Sequence, residues 1–182
     1  MLIQKVHHVA YRCIDAKQTV EWYGKYLGMK FVLAIAEDEV PSTKARDPYM
    51  HVFLDAGQGN VLAFFELPTQ PAMDRDRNTP AWVQHLALEV DSVDTLLASK
   101  ARLEADGIEV VGPTDHTLFK SIYFFDPNGH RLELAANMAT PDMLHKLDEV
   151  KYVMLEEWSK TKRAPKHGAW MHDGSFSQGA VR

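Results

Sequence analysis

The chain has 182 residues, 46% of them hydrophobic and 25% charged, with a formal charge of −5 and one cysteine. That length suffices for one well-packed domain or two small modules sharing a core, and the composition excludes a disordered chain. No Lys/Arg-rich block offers a footprint for nucleic acid or an anionic membrane, no apolar run approaches a spanning helix, and MLIQKVHHVAYRC lacks signal-peptide order; with Cys13 alone, a reducing cytoplasm is the expected compartment.

In chain order, VHHVAYRC reads as a strand around His8, and Asp15 is placed to cap a helix on which Ala16, Val20, Tyr23 and Leu27 recur at helical spacing. Gly28 stops that helix. MKFVLAIA, YMHVFLDA and NVLAFFEL then read as three strands, the last two joined by the tight turn AGQGN. Pro and charge mark residues 68–81 as a linker between a first module, 1–67, and a second, 82–137. The second module repeats the plan. A strand around His85 leads to a helix carrying Val93, Leu96, Leu97 and Leu103 and stopped by Gly107, followed by IEVV, KSIYFF and HRLEL with a DPNG hairpin. Each copy reads β-α-β-β-β, an α+β pattern. Residues 138–182 add a helix starting at Thr140-Pro141 and a tail. The stripe Met143, Leu147, Val150, Met154 and Trp158 predicts a buried helix face, and Trp170 and Phe176 are the tail's packing candidates.

The repeat selects residues as well as elements. His8 falls on His85, and laying FEL over LEL puts Glu66 on Glu133. Alternation along a strand predicts that His7 points away from His8. A single His on an apolar strand reads first as a core residue, but a pair at equivalent positions reads as a ligand pair. Glu66 and Glu133 sit among apolar residues, where an unpaired carboxylate is costly to bury and a cation would compensate. Two imidazoles with one or two carboxylates suit Fe²⁺, Mn²⁺, Zn²⁺, Ni²⁺ or Co²⁺.

The segments HHVAYRCID, EWYGKYLGM, QHLALEVDS and FFDPNGHRLEL together resemble the vicinal oxygen chelate superfamily over roughly residues 3–137. That group includes glyoxalase I, extradiol dioxygenases, methylmalonyl-CoA epimerases, and fosfomycin and bleomycin resistance proteins. The resemblance implies paired βαβββ modules forming an incomplete barrel, with a divalent metal held by His8, His85 and Glu133 and Glu66 as an optional fourth ligand. TDHTLFKSIYFFDPNGHRLE further resembles the extradiol dioxygenase signature, which implies Fe²⁺, a small catecholic substrate, and His116 and Tyr123 as catalytic groups beside Glu133. Arg12 stands where glyoxalase I has a glutathione-binding Arg, and Asn60 where ring-cleaving relatives carry a catalytic His. Both are therefore expected at the substrate. The four-ligand set resembles glyoxalase I and implies an isomerase or lyase as the alternative; a metal-free, bleomycin-resistance-like binding protein is the third reading. A homodimer is expected, with the modules paired within one chain or swapped between two.

Overall fold

The structure is a computed structural model that describes residues 5–74 and 76–171. The chain forms two compact units. One contains the residues up to Leu86 together with Ala105–Ile108 and Phe124–Leu132; the other contains Ala87–Glu104, Glu109–Tyr123 and the residues from Glu133 onward.

The first unit runs β1 (Val9–Cys13), α1 (Ala16–Leu27), β2 (Lys30–Glu37), β3 (Tyr49–Asp55) and β4 (Val61–Glu66), and its sheet has the order β1-β4-β3-β2. Asp15 caps α1, its side chain accepting from the Gln18 amide at 2.8 Å. Gly28, at φ 65°, ends α1 in the left-handed region that glycine enters without a Cβ penalty. Register then decides which side chains face the helix. Cys13 pairs with Glu66, Tyr11 with Phe64, and Val52 with Phe64, so these share a face; Phe64 meets Tyr23 of α1 at a ring distance of 4.9 Å. Cys13, Val52, Leu54, Leu62, Phe64 and Tyr23 form this core, each fully buried apolar side chain contributing roughly 1.5–3 kcal/mol. The opposite face carries Ala10, Arg12, His51, Phe53, Ala63 and Phe65. β2, at the sheet edge, is exposed along its whole length, including Phe31, Val32, Leu33 and Ile35.

The DPNG turn does more than reverse a hairpin. The buried Asp126 carboxylate accepts from the Asn128 and His130 amides at 2.9 and 2.8 Å, from Asn128 Nδ2 and from the Tyr23 hydroxyl, both at 3.0 Å. Asn128 in turn accepts from the Ile14 amide at 2.8 Å and donates to Thr19 Oγ1 at 3.1 Å. Every polar group in this hub has a partner inside the protein, which is the condition for burying them. The second module's hairpin turn is thus fastened to the β1–α1 corner of the first, which is why residues 124–132 belong to the first unit.

The second sheet has the order β5-β8-β7-β6, from β5 (Leu86–Val90), β6 (Val111–Asp115), β7 (Phe119–Phe125) and β8 (Arg131–Asn137), with α2 (Val93–Ala105) between β5 and β6. Neither sheet closes on itself. IEVV was expected to be the strand after α2, but pairing starts only at Val111 and continues through Gly112 and Pro113 with a bulge. Pro is tolerated because β6 is an edge strand. Gly112 is required: at φ 109°, a Cβ there would stand 2.6 Å from the Ser121 carbonyl oxygen. On α2, Leu96 and Leu103 are buried as the periodicity predicts, whereas Leu97 is 43% exposed.

Thr140 caps α3 (Pro141–Thr161), and a short 3-10 helix spans Lys166–Met171. The predicted stripe is oriented correctly but only partly covered. Met143 is buried, Leu147, Val150 and Met154 are half-buried, and Trp158 is 46% exposed beside the exposed Leu144, Tyr152 and Leu155. Trp170 lies under the Lys146 ammonium, 5.8 Å from it, while Phe176 lies outside the described residues.

Candidate active site

The β6–β7 hairpin is built to present a histidine. Thr117 takes a left-handed φ of 69°, its amide held by Asp115 Oδ1 at 2.7 Å, and the His116 amide donates to the Phe119 carbonyl at 2.9 Å. Alternation along β7 then places Ser121 and Tyr123 on one face and the fully buried Ile122 and Phe124 on the other. Glu133, on the neighbouring β8, joins the first group. Its Oε1 accepts from Ser121 Oγ and, at 3.2 Å, from the Tyr123 hydroxyl, which itself lies 2.8 Å from His116 Nε2. A phenol has one proton, so a Tyr123 that donates to Glu133 accepts from His116 Nε2–H. The result is a hydrogen-bonded chain from an exposed imidazole to a carboxylate only 3% exposed. His116, Tyr123 and Glu133, singled out by the resemblance, are brought together within the second unit.

In the first unit the imidazoles gather on the face of the sheet away from α1. The His8 ring stands 5.6 Å from Phe53 and 6.0 Å from His51. His7 does not point away as alternation predicts. Both histidines precede β1, where no pleat imposes alternation, and their Nδ1 atoms lie 2.7 Å apart. His51, not foreseen from the sequence, is stacked on Phe65 at 3.5 Å; burial, and secondarily the neighbouring His8, lowers its pKa. The signal was present in YMHVFLDA: Met50, Val52 and Leu54 take one face, which leaves His51 and Phe53 the face His8 uses.

Three further candidates are placed as follows. Glu66 lies on the α1 face, opposite His8, and its Oε2 accepts from the Ala16 amide at 2.7 Å at the start of that helix. It is Phe65 that shares the open face with His51. Asn60 is exposed in the β3–β4 turn, where its side-chain amide and its backbone amide both donate to the Gly57 carbonyl, at 3.0 and 2.9 Å. Arg12 Nη2 donates to the Pro71 carbonyl at 2.6 Å, tying the linker down, while Arg12 Nε is buried with no hydrogen-bond partner.

His85 immediately precedes β5 as His8 precedes β1, so the repeat holds in position. Its Nδ1–H donates to the Val83 carbonyl at 3.0 Å, which makes Nε2 the lone-pair nitrogen, the arrangement a metal-binding imidazole needs. The ring lines a cleft of about 800 Å³ in the first unit with Tyr11, Gln84, His130 and Arg131.

Within either unit, among the described residues, no three His, Cys, Asp or Glu side chains are gathered into a metal cluster. His8 and His85 belong to the first unit and Glu133 to the second. The donors themselves suit a borderline divalent ion: an Nε2 lone pair fixed on His85, a buried His51 Nε2 without a partner beside His8, and a buried carboxylate with hydrogen-bonding neighbours.

Comparison with known proteins agrees with the fold. The profile of the Glyoxalase/Bleomycin resistance protein/Dioxygenase superfamily matches residues 5–134. The chain is 26% identical over 140 residues to the Bacillus subtilis protein named "Putative ring-cleaving dioxygenase MhqA", a match that covers 75% of this chain but 42% of that protein. Among solved structures, a glyoxalase family protein from Enterococcus faecalis is 26% identical with a TM-score of 0.55, covering 74% of this chain and all but 1% of its own. The fosfomycin resistance protein FosX of Listeria monocytogenes, solved with Mn(II) and sulfate, shares the fold at a TM-score of 0.55 and 18% identity, covering 78% of this chain and 97% of its own. With its duplicated β-α-β-β-β plan and this match over most of its length, the chain belongs to the glyoxalase/bleomycin resistance protein/dioxygenase superfamily.

Proposed function

We propose that the protein is a divalent-metal-dependent enzyme that opens the ring of a small catecholic substrate in the extradiol manner. The observation that carries this reading is the hydrogen-bonded chain His116–Tyr123–Glu133. A similar protein named for ring cleavage supports it. Glu133, His8 and His85 would hold the ion, with Fe²⁺ favoured. Bound there, Fe²⁺ would supply a Lewis acid and a centre for chemistry with O₂.

The protein's own residues account for orientation and proton movement. Tyr123 and Ser121 both donate to Glu133 Oε1, which fixes the carboxylate's direction. His116 is exposed, and with its Nε2–H donating to the Tyr123 oxygen it keeps a lone pair on Nδ1, at which it can take a proton from a substrate hydroxyl and return it to the opened product. Asn60 contributes no acid–base group in relatives' catalytic position, which leaves that work to His116. The four-ligand isomerase reading is the weaker one because it needs Glu66 beside His8, and Glu66 is occupied at the start of α1.

The test is anaerobic reconstitution with Fe²⁺, followed by an oxygen-uptake screen over substituted catechols. Uptake accompanied by a yellow ring-fission product is expected for at least one of them. No uptake by iron-loaded protein, together with turnover of a hemithioacetal, would replace this reading with the isomerase.

A further inference from the structure

His51 is the one buried imidazole nitrogen among the described residues that lacks a partner: it is 8% exposed and no hydrogen-bond acceptor or donor meets its Nε2. A buried polar atom left unpaired costs free energy, so its persistence calls for an explanation. Phe65, stacked at 3.5 Å, and Phe53, at 4.1 Å, hold the ring but offer it no hydrogen bond. The nearest imidazole is His8, whose ring centroid is 6.0 Å away.

We infer that His51 is a nitrogen ligand to the divalent ion alongside His8, with His7 as the residue that positions His8. An imidazole nitrogen sits roughly 2.1 Å from such an ion, which puts its ring centroid roughly 3 Å away and lets two rings share one ion at centroid separations of roughly 5–6 Å. The observed 6.0 Å lies at the upper end of that range. The contact between His7 Nδ1 and His8 Nδ1, at 2.7 Å, places the proton of one ring between them. When His8 donates it, His8 Nε2 becomes the lone-pair nitrogen, the arrangement in which a ligating imidazole is oriented by its other nitrogen. Neither His51 nor His7 is needed by the three-ligand set of His8, His85 and Glu133.

The inference rests on the metal reading above, and its test separates the two. Co²⁺ is titrated into metal-free protein and followed by its visible absorption and by bound-metal stoichiometry. His51→Phe keeps the ring stacked on Phe65 and removes both nitrogens; His51→Gln keeps a polar group, and circular dichroism checks that each variant folds. Wild type is expected to bind one Co²⁺ per chain, with affinity reduced about tenfold or more and an altered spectrum in both folded variants. His7→Phe is expected to weaken binding while leaving the number of nitrogen ligands unchanged. A folded His51→Phe with wild-type affinity and spectrum overturns the inference and leaves the three-ligand reading standing. Conversely, if Glu133→Gln and His85→Ala bind Co²⁺ as wild type does while His51→Phe does not, the ion belongs to His8 and His51 and the three-ligand reading fails. A wild type that takes up no Co²⁺ overturns both.

Discussion

At the scale of single residues, hydrogen-bond geometry separates the groups proposed to carry chemistry from groups that carry structure. Tyr123 touches both His116 and Glu133 through one oxygen, so Tyr123→Phe keeps the ring and cuts the chain between them. We expect it to change stability by only about 0.5–1.5 kcal/mol while lowering turnover far more, measured by thermal unfolding beside steady-state rates. Tyr23 is the contrasting case. Burial, reinforced by Asp126, raises its pKa far above the ordinary phenol value, and burial pushes the Cys13 thiol up to about 11. Both groups are neutral in the folded protein and ionise sooner in the unfolded chain. The stability Cys13 contributes is therefore complete below about pH 9 and is lost as pH rises through about 11, and that of Tyr23 begins to fall above about pH 10. Denaturant unfolding at a series of alkaline pH values should show this decline, and a flat profile between pH 9 and 11 would contradict it. His8, His85 and Glu133 could be singled out from letters because the repeat marks them, and His116 and Tyr123 because their segment resembles the extradiol dioxygenase signature. Glu66 was misplaced for a reason specific to strands: matching FEL to LEL fixes letters, but a shift of one residue exchanges the faces of a sheet, and here Phe65 holds the open face. For His51, the alternation in YMHVFLDA gives the face, but the stacking on Phe65 follows from cross-strand pairing and is not in the local pattern.

At the scale of elements, helices and most strands follow from periodicity and caps, and the exceptions have local causes. β6 starts at Val111 because Gly112 allows the chain to approach β7 closely. Gly112→Ala would drive a Cβ into the Ser121 carbonyl, 2.6 Å away, and Ser121 is one of the groups that hold Glu133. A loss of about 1–3 kcal/mol is expected, with metal affinity falling alongside it; unchanged unfolding and metal titration would contradict this. The stripe on α3 was legible as a pattern, but its degree of burial was not, because periodicity gives direction and not what lies opposite. β2 shows the same limit. Its run of exposed Phe31, Val32, Leu33 and Ile35 on an edge strand is a surface that natural sheets usually cover. The double substitution Val32→Lys and Leu33→Lys is expected to shift sedimentation toward the monomer without unfolding the chain. An unchanged sedimentation coefficient would show that β2 takes no part in self-association.

At the scale of the whole molecule, the duplicated plan was readable from sequence, and the compact units are a separate grouping by contact. Sequence boundaries at residues 68–81 and 137 follow composition; residues 124–132 go with the first compact unit, where Asp126 and Asn128 bond to Tyr23, Thr19 and Ile14. Side-chain hydrogen bonds over a hundred residues of chain leave no mark on local composition. Under the proposed function, His116 serves a metal-held reaction and does not itself hold the metal. The most direct measurement is oxygen consumption by Fe²⁺-loaded His116→Ala and wild-type protein, using a catechol that wild type turns over, with iron content determined on the same samples. The predicted result is equal iron content with turnover reduced about 10²–10⁴-fold in the variant. Loss of iron in proportion to activity, or a variant as active as wild type, would contradict it.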